Sequence, residues 1–151
     1  MRRNKMFKTS LFDETTFYKQ FERDLLHAER EVVIESPFIT NGRTLKLCSV
    51  FEKLISKGVK IYVITRDPKK HLKQMKYQAE EVIEYFERIG VQVFVTTNNH
   101  HRKLAIIDRD ILWEGSLNIL SQSNSKEVMR RIIGDGHARK MFSFLKLERF
   151  I

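Results

Sequence analysis

Three short apolar runs, with helical stripes before and between them, constrain this chain more than any other feature. EVVIESPF (31–38), VKIYVIT (59–65) and VQVFVT (91–96) read as buried strands by their length and their Val and Ile content. Phe17, Phe21, Leu25 and Ala28 recur at helical spacing before the first, with Asp13 or Thr15 available as a cap. Leu47, Cys48, Phe51, Leu54 and Ile55 mark a helix that stops at Gly58, and Ala79, Val82, Ile83 and Phe86 mark another that stops at Gly90. Parallel strands need a crossover of this size between them, so the alternation predicts parallel pairing with helices packed on the sheet.

Beyond residue 100 the pattern changes. KLAIIDRDILWEGS is two apolar runs around a short polar break, which reads as a β-hairpin. EVMRRII suggests a further strand after the Ser- and Asn-rich stretch 121–125, and the segment from His137 reads as a helix. The expected fold is therefore α/β: a mixed, largely parallel β-sheet flanked by helices on both faces. At 151 residues the chain is a single domain over 1–151, with residues 1–12 expected to be flexible. The one cysteine, Cys48, fits a reducing compartment and sits on the apolar face of its helix. With neither a secretory apolar core at the N-terminus nor a run near the roughly 18 apolar residues of a membrane span, a cytoplasmic protein without a membrane partner is expected.

Charge narrows the partner. Lys and Arg number 28 against 19 Asp and Glu, a net charge of +9 that favours a polyanion, nucleic acid first. KKHLKQMK (69–76) is a basic cluster that fits either phosphate-backbone contact or a solvated loop, and Arg66 stands just before it at a strand end where ligands often bind in open α/β sheets. Glu80, Glu81, Glu84 and Glu87 form an acidic face best read as solvated surface.

The hairpin brings polar residues together. If Arg109 and Asp110 make a two-residue turn, Lys103 faces Ser116 and His101 faces Asn118 on one sheet face. A three-residue turn without a bulge would send Ser116 and Asn118 to the other face. The four supply a base or nucleophile, a fixed cation, a hydroxyl and an amide, the types that phosphoryl transfer requires. His71-Leu72-Lys73 repeats the His-x-Lys spacing, but Gln78 stands where an Asp would fall and no Gly-Ser-x-Asn follows. His100 and His101 are adjacent and cannot point the same way from a strand, so nothing here demands a metal or another cofactor.

The combination His101-x-Lys103-x4-Asp108-x6-Gly115-Ser116-Leu117-Asn118 resembles the phospholipase D superfamily, marked by a His-Lys-Asp motif followed by Gly-Ser and a nearby Asn. The order of strands and helices from about Val32 onward agrees with one half of that fold. The resemblance implies that His101 is the nucleophile forming a phosphohistidine, or the general acid in a second copy. It implies that Lys103 and Asn118 bind phosphate oxygens, that Ser116 adds a hydrogen bond, and that Glu127 fixes the His101 tautomer. Asp108 falls on the other strand face and is expected to support the site without touching phosphate. A single motif in the chain implies a homodimer with the active site at its two-fold axis, for which Trp113 or Leu117 could supply contacts if they are not core.

Superfamily members act on phospholipids or nucleic acids. The basic charge favours a metal-independent endonuclease on DNA, more than RNA, with Arg66, Lys69, Lys70, Lys73 and Arg102 as the nucleic-acid contacts. The alternative is a nucleic-acid-binding module, inactive alone, that accompanies a helicase or restriction enzyme. A phospholipid phosphodiesterase or phosphatidyl transferase is the less favoured third.

Overall fold

The computed structural model describes residues 6–121 and 124–151. In chain order its elements are β1 (Phe7–Asp13), α1 (Phe17–Leu26), β2 (Glu31–Glu35), α2 (Asn41–Ser56), β3 (Lys60–Arg66), α3 (Lys73–Ile89), β4 (Gln92–Thr96), β5 (Leu104–Ile107), β6 (Ile111–Gly115), β7 (Val128–Gly134) and α4 (His137–Phe144). Short 3₁₀ turns occupy Pro68–Lys70 and Leu147–Phe150. Among the described residues seven strands form one sheet in the order β1-β7-β6-β5-β2-β3-β4. The sheet is mixed: β2, β3 and β4 are parallel, as helical crossovers require, and every other neighbouring pair is antiparallel.

Strand alternation builds two cores. On one face Val32, Ile34, Ile61, Val63, Ala105, Ile107 and Trp113 pack under Phe17, Phe21 and Leu25 of α1, Leu47, Phe51 and Leu54 of α2, and Val82 and Phe86 of α3. On the other, Val33, Tyr62, Ile64, Leu104, Ile106 and Leu112 pack under Ala138 and Phe142 of α4 and under Leu147. Helices therefore cover both faces, and β2, between β5 and β3, is an interior strand buried along its whole length. Trp113 and Leu117, which could have been either dimer contacts or core, are 0% and 5% exposed and belong to the first core. The cap of α1 is Thr16, whose hydroxyl bonds Asp13 and not the helix; the Asp13 carboxylate accepts from the Thr15 and Thr16 N–H groups at 2.8 and 3.0 Å.

Two expectations need correction. Residues 7–12 are not a loose terminus. They form the edge strand β1, paired along its length with β7 and pinned by Arg130 Nη1 on Thr9 Oγ1 at 2.9 Å and by Phe12 edge-on to Trp113. Residues 1–5 lie outside the described residues.

The hairpin turn is also longer by one residue than a tight turn. Ile107 pairs with Ile111, so Asp108, Arg109 and Asp110 form the turn. Asp108 and Arg109 take left-handed conformations with φ of 53° and 52°. That cost is offset because the Asp108 carboxylate accepts the N–H groups of Glu29, Arg30 and Glu31 at 2.9, 2.8 and 3.0 Å.

Candidate active site

One edge of the sheet gathers the polar residues. The C-terminal ends of β2, β3 and β4 lie there because these strands are parallel; so do the start of β5, the end of β6 and the start of β7, because Glu35 pairs with Leu104 and Gly115 with Met129. His101 and Lys103 precede β5, Ser116 and Asn118 follow β6, and Glu127 precedes β7. Asp108 stands at the opposite edge, about 17 Å from Lys103 along the strand, with its carboxylate held by backbone N–H groups.

The three-residue turn removes the expected cross-strand pairs: the ladder runs Leu104 to Glu114, and Gly115 N–H reaches Lys103 O at 3.3 Å. A regular continuation would turn Ser116 away from Lys103. The chain recovers the arrangement by leaving the β5 ladder at Gly115. Ser116 N–H donates to Val128 O at 3.0 Å, and Ser116 Oγ accepts the Val128 N–H at 3.0 Å. Ser116 thereby moves beside Glu127. Its hydrogen bond, with one from Ser125 Oγ at 2.7 Å and the nearby Lys103 charge, holds the Glu127 carboxyl below the usual range. Glu127 makes no hydrogen bond to the His101 ring here; the His101 imidazole is exposed, and its carbonyl accepts from Lys103 Nζ at 2.9 Å.

The close turn demands glycine. A Cβ on Gly115 would fall on the Val128 carbonyl oxygen and within 2.8 Å of Met129 Sδ. Gly115→Ala must therefore push β7 away, moving Ser116 and Glu127 with it. The expected result is a stability loss of about 1–3 kcal/mol, measured by urea denaturation, with a larger proportional loss of turnover.

Asn118 is presented by well-anchored neighbours. Leu117, Ile119 and Leu120 are buried. Tyr18 Oη donates to Ile119 O at 2.8 Å, Leu120 N–H donates to Ser36 Oγ at 3.1 Å, and Thr40 N–H reaches Leu120 O at 2.9 Å. Asn118 Oδ1 is buried and has no partner among the described residues, in a polar cavity of about 70 Å³ that Glu127, Tyr18 and Arg43 also line. The Arg43 guanidinium stacks 3.5 Å above the Tyr18 ring. Burial pushes the Tyr18 hydroxyl up to about 12 against the pull of Arg43, so it stays a donor. Nothing in the sequence marked Tyr18, Ser36 or Arg43, since each acts from a different element.

Beneath the motif lies Glu35, also unmarked by the sequence reading. It is 0% exposed, and Arg102 binds it with Nε at 2.8 Å and Nη2 at 2.9 Å. Arg102 is thus tied through one edge of its guanidinium to a buried carboxylate, while its side chain stays 45% exposed. His100 Nε2 lies 3.8 Å from the same carboxylate. Burial, helped by the Arg102, His101 and Lys103 charges, outweighs Glu35 and lowers the His100 pKa. The ring is therefore neutral at neutral pH, and Arg102 is the ion-pair partner of Glu35.

The other expected contacts share this sheet edge. Arg66 Nη2 donates to Asn99 Oδ1 at 3.2 Å and Lys70 Nζ to Thr97 O, while Lys69, Lys70 and Lys73 are exposed. His71, the chance match, packs its ring against Phe38 with centroids 5.0 Å apart. Among the described residues no three His, Cys, Asp or Glu side chains are placed to hold a metal, and no helix is long and apolar enough to cross a membrane.

Residues 21–139 match the family model described as cardiolipin synthase, PLD-like domain. No curated protein matches the chain in sequence. Among solved structures, NucT from Helicobacter pylori is 22% identical with a TM-score of 0.70, the match covering 93% of this chain and 94% of that one. Nuc from Salmonella typhimurium, a phospholipase D family member, is 14% identical with a TM-score of 0.73, over 93% and 91% of the two chains. Phosphatidylserine synthase from Haemophilus influenzae is 15% identical with a TM-score of 0.70, over 96% of this chain and 38% of that one.

Proposed function

Because the chain belongs to the phospholipase D-like family, we propose that it is a metal-independent phosphodiesterase that cleaves nucleic acid, DNA in preference to RNA, as a dimer of identical chains. The observation that carries this reading is the gathering of His101, Lys103, Ser116, Asn118 and Glu127 at one sheet edge, with the His101 ring open to solvent and the Arg66, Lys69, Lys70 and Lys73 cluster on the same edge. The likeness to NucT and Nuc over nearly all of this chain and of theirs supports the same reading.

In the proposed reaction the neutral His101 imidazole attacks the phosphorus of a backbone phosphodiester. A nitrogen–phosphorus bond forms and one phosphorus–oxygen ester bond breaks. The leaving oxygen takes a proton from the protonated His101 of the second copy, and water, giving up its proton to that same histidine, then hydrolyses the phosphohistidine. Lys103 and Asn118 neutralise and bind the non-bridging oxygens as charge shifts onto them. The exposure of His101 leaves room for a second copy to face it across a two-fold axis.

Binding is tested apart from cleavage by the salt dependence of DNA affinity. Replacing Lys69, Lys70 and Lys73 together by Gln is expected to reduce the slope of log K against log salt by about 2–3, close to one per lost phosphate contact. An unchanged slope would place the DNA path elsewhere. Sedimentation of the same protein tests the dimer, for which a monomer at concentrations that support cleavage would be contrary.

A further inference from the structure

The backbone that carries His101 is held by few main-chain bonds. β5 begins only at Leu104. Ahead of it, His100 N–H donates to Asn98 O at 2.8 Å and Lys103 O accepts from Gly115 N–H at 3.3 Å. Among the described residues neither the His101 nor the Arg102 N–H has a hydrogen-bond acceptor, and His101 O accepts only from the Lys103 side chain two residues on. A nucleophile must nevertheless be fixed to within a fraction of an ångström.

Side chains supply what the ladder does not. In an extended segment residues 100 and 102 point to one face, and residues 101 and 103 to the other. Both outward neighbours of His101 converge on Glu35. Arg102 grips both carboxylate oxygens, at 2.8 and 2.9 Å, and His100 Nε2 stands 3.8 Å away. Glu35 itself cannot move. It closes the interior strand β2, pairs with Ile64 on one side and Leu104 on the other, and is wholly buried.

We infer that Glu35 is the positioning residue of the site: through Arg102, with His100 packed beside it, it clamps the segment on both sides of His101 and so aims the imidazole. It touches no substrate. Fold stability alone gives little reason for a wholly buried carboxylate at this place, because an apolar side chain of similar volume would fill it at least as well. The clamp has a use only if the segment it grips must hold one geometry, and for that reason the inference rests on His101 being the nucleophile.

The test compares Glu35→Gln, Arg102→Gln, Arg102→Lys and the double Gln variant with wild type, at matched DNA concentrations and with melting followed alongside. Glu35→Gln is expected to lower kcat about 10- to 100-fold while KM stays within about threefold. Arg102→Gln should lose the same amount, and the double variant no more than either, since one device is being removed twice. Arg102→Lys keeps the charge without the fork and should recover only part of the rate. A merely structural role would lower the melting temperature and leave kcat per folded molecule unchanged, and a phosphate-binding role for Arg102 would raise KM instead. Either result overturns the clamp. If Glu35→Gln does not fold, Arg102→Gln, at the more exposed end of the pair, carries the same comparison.

The position of His101 is read independently of turnover from its ring resonances by NMR, which should shift or broaden in both Gln variants. A wild type without cleavage would sink the nuclease reading, leaving the clamp to that spectrum. Unmoved His101 resonances would overturn the clamp, while wild-type cleavage would stand.

Discussion

His101→Ala is expected to lower the rate of DNA cleavage by at least about 10³-fold while leaving the dissociation constant for DNA within a few-fold of wild type. The split follows from where the two tasks are placed. In the proposed mechanism covalent catalysis runs through the imidazole, and alanine offers no group that can form the bond to phosphorus. The proposed DNA contacts are the exposed lysines around residues 69–73 and Arg66, none of which bonds to the His101 side chain. Truncation also leaves the Glu35–Arg102 pair and the Ser116–Val128 bonds in place, so the surrounding backbone should hold. Single-turnover cleavage and fluorescence anisotropy at one salt concentration measure the two halves. His71→Ala, at the other His-x-Lys, should retain turnover, because that ring packs against Phe38 and no Gly-Ser-x-Asn follows it in the chain.

Asp24→Ala should produce the largest loss of stability from a single side chain remote from the site. Asp24 is 5% exposed on the inner side of α1. Its carboxylate accepts Nε and Nη2 of Arg131, both at 2.8 Å, Nε1–H of Trp113 at 2.8 Å and Gln20 Nε2 at 3.0 Å. The substitution strands a largely buried guanidinium and a buried indole N–H at once. Breaking such a pair costs about 3–5 kcal/mol, which for a domain of this length lowers the melting temperature by roughly 10 °C. Thermal and urea unfolding check it. A loss below about 1 kcal/mol would mean that the network is as weak as an exposed ion pair. Asp24→Asn, which keeps one acceptor oxygen, should fall between the two.

Much of the fold was legible because it is written locally. β2, β3 and β4 are short apolar runs, and α2 and α3 stop where Gly58 and Gly90 permit the turn. The edge strand β1 was missed because almost every residue in it is exposed, so no apolar face announces it. The hairpin turn was misjudged by one residue because Asp108 and Arg109 adopt left-handed conformations without being glycine. What supports them is backbone from residues 29–31, which the hairpin sequence cannot reveal. For the candidate site, the position of His101 and Lys103 just ahead of the β5 run was enough to bring both to one end of the sheet. That Ser116 and Glu127 join them depended on Gly115, whose missing Cβ lets the chain turn onto β7. Glu35 and Arg102 are separated by 66 intervening residues, and Asp24 and Arg131 by more than a hundred, so neither pair leaves a local trace.

The measurement that bears most directly on the proposed chemistry is cleavage of labelled single- and double-stranded DNA and RNA by the wild-type protein in excess EDTA. Cleavage at an undiminished rate, strongest on DNA, is the expected result. Binding without cleavage on all four substrates, or cleavage that EDTA abolishes, would contradict a metal-independent histidine nuclease.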